Sequence, residues 1–338
     1  MNIDIVLDSH LTSSELTELG LLAEKYGIRC LWNASYLDGR DPFCNLAQLA
    51  RESKTIKVAP MALNGYEMHP FRMAMNLLTL NELAQGRAEA MIGGGGEVVM
   101  ALQIPTEKRV RYVREALEFV IGATRNRPFS YDGELFKVDN YDPQWPTAEP
   151  PPFVWAGANR PQMIEMAPKV ADGIFLSDLS ITLSKDIIER SLNTRAKAGK
   201  PTDDFRFNNF IAWYIYDDLA EARHEARRWI GFRALFRDYM MLEFMSQEEF
   251  EEILKFIPEI YAMGPADTDS VEGLDDELLD RCVDELTLTG TPENDLDRII
   301  EHLHEYKEIG VTEMCIELKK HQAHGIKLLG EKVIPALK

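Results

Sequence analysis

Cysteine is scarce in this 338-residue chain, and its four copies, Cys30, Cys44, Cys282 and Cys315, are scattered without a CxxC pair. That spacing offers no disulfide framework and no zinc site, so no metal is expected, and a reducing, cytoplasmic setting fits it. Positive charge is short as well. Lys and Arg number 37 against 56 Asp and Glu, a formal net charge of −19. Duplex nucleic acid and anionic membrane surfaces would be repelled by such a chain. No apolar run approaches eighteen residues, so no membrane-spanning helix is expected. The opening MNIDIVLDSH goes directly into strand-like alternation, without the basic and apolar regions of a signal peptide.

What is present is a regular alternation of strand-like and helix-like stretches. Ile3–Leu7 alternates, and SSELTELGLLAEKYG then has helical spacing, with Ser13 or Ser14 as N-cap and Gly27 as stop. IRCLWN, IKVAPMAL and RAEAMIGGG read as the second to fourth strands, each preceded or followed by an amphipathic helix, the fourth helix running from Thr106 to Thr124. FVWAG, DGIFLS, FRFNNFIAWYIY and EMCIEL supply the last four strands, with helices over Pro161–Lys169 and Ser184–Ala198 between them. A last marked helix has Thr291 as cap, Pro292 in its first turn and Gly310 as stop. Eight such units imply a parallel sheet covered by helices, best satisfied by a (β/α)₈ TIM barrel, an α/β fold; a doubly wound open sheet is the alternative. Two insertions interrupt the pattern. One, about 126–152, is rich in proline; the other, about 240–288, is acidic, with fourteen acidic and two basic residues between Ser246 and Leu286. Strand and helix units resume after each, so residues 1–338 read as a single domain.

In a barrel, ligands bind where strands end. After the fourth strand come Gly93, Gly94, Gly95 and Gly96, then Glu97. Glycines there either make a tight turn or let a flat ligand or phosphate approach the backbone. Neither a P-loop nor a GxGxxG fingerprint is formed. Gly157, Ala158, Asn159 and Arg160 precede a helix N-terminus, an arrangement suited to an anion, and Ser177 ends the next strand. Asn64 and His69 lie after the third strand, His69 serving either the site or the turn before Pro70. Trp213 and Tyr214 fit a pocket wall or the core equally well. Arg223, Arg227, Arg228, Arg233 and Arg237 form a basic stretch, read as a solvated helix face with some capacity to hold an anionic group.

These residues also match a family pattern. MHPFRMAMNLLTLNELAQGRAEAMIGGGG resembles the HP…TLDELSxGRxxLGIGxG run of the luciferase-like (bacterial-luciferase) superfamily of flavin and deazaflavin oxidoreductases. FVWAGANRPQMIEMAPKVADGIFLS is similar to its IYIGAxGPxMLxLAGxxADGVLIN, and two C-terminal stretches extend the match. The nearest likeness is to the branch of F420-dependent methylene-tetrahydromethanopterin reductases, whose GPGVTNPYTRHP stands against APMALNGYEMHP, Ala59–Pro70. The resemblance implies a TIM barrel with a ring cofactor across its mouth, coenzyme F420 or alternatively FMN. It implies a small-molecule substrate, a homodimer or higher homo-oligomer, and a non-proline cis peptide at Met61–Ala62 supporting the ring. Asn64 matches the family's Asn, and Glu97 matches an acid found in several deazaflavin-dependent members. Ser35 and Tyr36 stand where many members carry an Asp-His or His-His pair. Tyrosine, with an ordinary pKa of about 10, cannot replace histidine as a base near neutrality. The expected roles are therefore Glu97 and Tyr36 in catalysis, with Ser35, Met61, Ala62, Asn64, Gly93, Gly94, Gly95, Gly157, Ala158, Asn159, Arg160 and Ser177 holding the cofactor. Hydride transfer between F420 and an organic substrate is the activity implied. An FMN-dependent monooxygenase and a binding barrel without cofactor are the alternatives.

Overall fold

A computed structural model describes residues 1–233 and 236–338, with the Glu97 side chain outside the described part. Four βα units come first: β1 (Asn2–Leu7), α1 (Ser13–Lys25), β2 (Cys30–Ala34), α2 (Pro42–Glu52), β3 (Lys57–Met61), α3 (Pro70–Leu83) and β4 (Glu89–Ile92), then the short α4 (Glu97–Ala101) and long α5 (Arg109–Arg125). The proline-rich insertion folds into an antiparallel hairpin, β5 (Phe129–Asp132) and β6 (Lys137–Tyr141). The barrel resumes with β7 (Phe153–Gly157), α6 (Pro161–Val170), β8 (Gly173–Ser177), α7 (Ile181–Lys197) and β9 (Arg206–Ile215). The second insertion carries α8 (Leu219–Arg228), α9 (Asp238–Met241), α10 (Gln247–Lys255), α11 (Ile257–Ala266) and α12 (Asp276–Leu286). β10 (Thr287–Gly290), α13 (Leu296–Glu308), β11 (Glu313–Leu318) and α14 (Gln322–Leu328) follow. No described helix is long and apolar enough to cross a membrane.

The strands lie in the order β3-β2-β1-β11-β9-β8-β7-β4, all parallel, and single bridges between Val58 and Ala88 and between Leu63 and Ile92 close the ring. This is the expected (β/α)₈ barrel. β10 pairs along the end of β9, opposite Ala212–Ile215; four residues are too short for alternation to mark it in the sequence. Several helix starts differ from expectation, two of them because a better cap lies nearby. Thr12, not Ser13 or Ser14, caps α1: its hydroxyl takes the Glu15 N–H while the Glu15 carboxylate takes the Thr12 N–H. α7 begins at Ile181 behind the Ser180 cap, and Ser184 lies buried inside it. α5 begins three residues later than expected, at Arg109. Thr291 holds a turn through Asn294, and α13 starts only at Leu296.

Strand alternation sends one set of side chains to the helices and the other into the barrel. Trp32 and Trp155 fill its middle, edge to face at 6.4 Å, with Cys30, Cys315, Ala59 and Phe175 around them. Below them the N-terminal rim is plugged by paired charges. Arg29 donates to Asp4 at 2.6 and 2.8 Å and to Glu89 at 2.6 Å, and Lys57 reaches Glu89 at 2.6 Å. The two indoles join in, Trp32 Nε1 donating to Asp4 at 2.9 Å and Trp155 Nε1 to Glu89 at 2.7 Å. Burial works against ionisation of Glu89, but the charges of Arg29 and Lys57 outweigh it and bring its pKa down to about 2. A carboxyl depressed below its unfolded value of about 4.3 contributes stability above that pH and loses it as pH falls toward its folded pKa. Glu89→Gln takes from Lys57 its carboxylate partner and from Arg29 one of its two, deep at the rim, so at pH 7 it should lower the unfolding free energy by about 3–5 kcal/mol. It should also flatten the acid-side decline. Urea melts at neutral and acid pH measure both, and a variant as stable as the parent would contradict the role given to this pair.

Candidate active site

The C-terminal rim holds a cavity of about 340 Å³ to which six strand ends contribute. Ser35 and Tyr36 come from β2, Met61, Ala62 and Asn64 from β3, and Met91 with Gly93–Gly96 from β4. Gly157, Ala158 and Asn159 follow β7, Phe175 and Ser177 belong to β8, and Phe210 comes up from β9. A larger hollow of about 510 Å³ lies on the outside between α6 and α7, lined by Lys169, Arg190 and Lys197 among others, and no strand end reaches it. Barrel chemistry belongs at the rim.

One wall of the rim cavity is made by a fault in the barrel. Between its two bridges β3 spans five steps, Val58 to Leu63, while β4 spans four, Ala88 to Ile92. The surplus residue bulges. The Met61–Ala62 peptide within it is cis, as the resemblance implies, and both residues face the cavity. The Ser35 N–H donates to the Met61 carbonyl at 2.5 Å, and Leu63 and Gly93 exchange the pairing that restores the ladder, Leu63 N–H to Met91 at 2.9 Å and Gly93 N–H to Leu63 at 2.8 Å.

The four glycines are not equivalent. Gly95 has φ +73°, and a Cβ there would drive into Val99. A Cβ at Gly94 would come within 2.9 Å of the Arg109 side chain, and one at Gly157 within 2.8 Å of the Met91 sulfur. At Gly93 the nearest protein atom would be 3.7 Å away, and at Gly96 nothing lies within 4 Å. So Gly95 is a conformational requirement, whereas Gly93 is needed by nothing in the protein itself.

Several expected ligand contacts are spent internally. The buried Asn64 amide accepts from the N–H groups of Tyr66 and Glu67, both at 3.1 Å, and donates to the Glu67 carboxyl. Asn159 joins β7 to β8, taking the Ser177 N–H at 3.2 Å and donating to its carbonyl at 3.1 Å. The Ala158 N–H is held by Phe175 at 3.2 Å. Arg160 is exposed, its guanidinium 5.7 Å from the Tyr239 ring, and it does not line the cavity; Arg237 does. Arg160 is the N-cap residue of α6 and points outward over Tyr239. Glu97 opens α4 at the rim, but its side chain lies outside the described residues. His69 is structural: it caps α3, its Nδ1 accepting from Phe71 at 3.1 Å, and sits edge-on to Phe119 and Phe136. Trp213 and Tyr214 are core residues rather than pocket wall, covered where β10 lies along β9.

The basic stretch is not a solvated face either, because it packs against the acidic insertion. Arg223 pairs with Asp284 at 2.9 Å and Arg227 with Asp280 at 2.6 Å, tying α8 to α12. Arg228 meets Glu225 at 3.0 Å and Asp267 at 2.6 Å beside His224, so a cation already sits in that carboxylate cluster. Arg233 goes further and is buried at the mouth. It meets Glu317 at 3.0 Å and Asp178 at 3.3 Å, with its guanidinium 4.9 Å from the Phe210 ring. Lys319 also reaches Glu317 at 3.2 Å, and the Tyr36 hydroxyl donates to it at 3.5 Å. Burial opposes ionisation of Glu317, but Arg233 and Lys319 outweigh it and hold the carboxyl below its ordinary value. Sequence reading missed Glu317, Glu67 and Phe210. Strand parity was the available signal for Glu317, which shares the inward phase of Cys315, itself a barrel-interior residue.

A family model for luciferase-like monooxygenases matches residues 4–313. The chain belongs to that family. It is similar to a 5,10-methylenetetrahydromethanopterin reductase of Archaeoglobus fulgidus, 27% identical over 94% of each chain. Among solved structures it superposes on the coenzyme F420-dependent tetrahydromethanopterin reductase of Methanopyrus kandleri with a TM-score of 0.83 and 20% identity, covering 100% of this chain and 99% of that one. An F420-dependent secondary alcohol dehydrogenase holding an F420–acetone adduct superposes at 0.74 with 17% identity, both chains covered throughout. These likenesses in structure establish the luciferase-like fold.

The glycine division is testable without any ligand. Gly95→Ala should cost about 1–3 kcal/mol of stability, the penalty of a strained backbone plus a clash, and Gly93→Ala less than about 0.5 kcal/mol. Equal losses in urea denaturation would contradict it.

Proposed function

We propose that the protein is an oxidoreductase that moves hydride between coenzyme F420 and an organic substrate, as the names of its reductase relatives describe for them. The observation that carries this reading is the rim cavity itself, with one wall made of the β3 bulge and glycine backbone. Its apolar floor, Met61, Met91, Phe175 and Phe210, suits a flat ring; a Cβ at Gly93 would meet nothing closer than ordinary contact and one at Gly96 nothing within 4 Å. Arg237 puts a cation at the edge of this acidic protein, suited to a phosphate-bearing tail. When bound, the reduced deazaflavin supplies a hydride.

The chain's own residues do the rest. Met61 and Ala62 would back the ring, and Gly93, Gly94, Gly95 and Gly157 leave it room. Arg237, with the backbone at Asn159 and the α6 N-terminus, would hold the anionic end. The apolar Met91 and Phe210 side chains would keep water away from a ring bound in the cavity. Tyr36 stands at the mouth with its hydroxyl turned to anionic Glu317, a fixed hydrogen-bonding group rather than a base. Glu97 is assigned proton transfer on its match to the family acid. The full reading keeps residues 1–338 as one domain, in the cytoplasm, as a homodimer or higher homo-oligomer. FMN-dependent oxygen chemistry on the same fold is the reading it displaces, because the A. fulgidus relative that spans the chain is a reductase.

Titration of the purified protein with F420 and with FMN tests the assignment. F420 should bind at least about tenfold more tightly, a difference of about 1.4 kcal/mol; tighter binding of FMN would overturn it. Arg237→Ala should raise the F420 dissociation constant about 10- to 100-fold, as for a charge-assisted hydrogen bond of about 1.5–3 kcal/mol. Arg160→Ala should change it less than about 3-fold, in keeping with an exposed cation. The opposite order would put the anionic end at Arg160.

A further inference from the structure

Met91 stands where the family pattern has glycine. Set against LGIGxG, the run AMIGGG, Ala90–Gly95, places a thioether at the second position. β4 alternates, so Ala90 and Ile92 pack outward under the helices while Met91 turns into the barrel. Trp155, its partner across the β4–β7 ladder, is fully buried and already fills the barrel's middle. Of the interior cluster around the two indoles, Met91 is the most exposed, at 9%, and it lines the rim cavity. Its sulfur lies between the backbones of two strand ends. A Cβ on Gly157 would come within 2.8 Å of Met91 Sδ, and one on Gly93 within 3.7 Å. The same point beside Gly93 is 3.9 Å from the Ala62 Cβ. The Ala62 methyl, both glycines and the thioether therefore converge on one spot of the cavity.

We propose that Met91 is a specificity-determining residue: its thioether packs against the bound ring and narrows the cavity in favour of deazaflavin over flavin. The inference rests on the F420 reading above and adds to it what sets the choice of ring. A methionine sulfur against an aromatic ring is a favourable contact, and the unbranched side chain adapts to the ring's outline. Filling a cavity from its floor leaves less width for an occupant, and the broader occupant loses more. FMN is the broader one, because its benzene edge carries methyl groups where the deazaflavin of F420 has a hydroxyl and a hydrogen. In a close-fitting apolar pocket a single such group is worth about 10- to 200-fold in discrimination. Glycine at this position would leave the floor open and that distinction unmade.

The test is titration of the full-length protein and its Met91 variants with oxidised F420 and with FMN, followed by ligand fluorescence. Met91→Gly should weaken F420 binding about 2- to 10-fold through loss of the sulfur–ring contact. It should also lower the ratio of the FMN to the F420 dissociation constant at least about 10-fold. Met91→Ala should shift both in the same direction and keeps the test open if the glycine variant does not fold. Met91→Leu conserves volume, so it should hold the parent's ratio within about 3-fold. Melting without ligand confirms that each protein compared is folded. A parent that favours F420, with the same ratio in Met91→Gly or Met91→Ala, would overturn the proposal and leave the F420 reading intact. A parent that binds FMN more tightly would overturn both.

Discussion

The pairing between β3 and β4 is where the barrel closes and where it is interrupted. Seven of its eight strand junctions are continuous parallel ladders, and this one is two single bridges with an extra residue between them. A bulge turns backbone outward and ends regular pairing locally. Here it delivers Met61 and Ala62 to the mouth and sets the start of the Asn64–Glu67 loop. Facing it, β4 ends in residues without side chains. The cavity therefore follows from closure of the sheet rather than from a groove between separate parts, and its walls are as fixed as the barrel.

Charge is distributed along the barrel axis with a purpose at each end. At the bottom, Asp4 and Glu89 are neutralised by Arg29 and Lys57, and two tryptophan N–H groups complete their hydrogen bonding. Buried carboxylates so satisfied hold strand ends in register and seal the interior. At the mouth Glu317 lies between Arg233 and Lys319, and their charges hold its carboxyl below its ordinary value. Arg233 also fastens the acidic insertion to the barrel, since it enters the mouth from the segment that follows α8. The insertion's negative charge is partly consumed by Arg223 and Arg227 on α8.

The parts of this that sequence could supply are those written in local periodicity. Strand and helix alternation yields the barrel, and the residues after each strand point to the rim; Ser35, Tyr36, Gly93, Gly157 and Ser177 do meet around one cavity. The cis peptide was reachable only through the family pattern, because nothing in MALN announces it. Long-range pairing was out of reach. Glu317 and Arg233 are 84 positions apart, and neither has a local signature. Side-chain direction was equally hidden: Asn64 and Asn159 look like ligand contacts in a motif, yet Asn159 spends its amide on the Ser177 backbone and Asn64 spends its own on two backbone N–H groups and the Glu67 carboxyl.

The account stands on the claim that the β3 bulge and the glycine run form a cofactor seat. A crystal structure of the protein with oxidised F420 measures that directly. The account predicts density for the deazaflavin ring within the rim cavity, against Met61–Ala62 on one side and the backbone of Gly93 and Gly157 nearby, with its anionic end toward Arg237. Density for the ring outside this cavity, or an occupied seat elsewhere on the barrel, would contradict it.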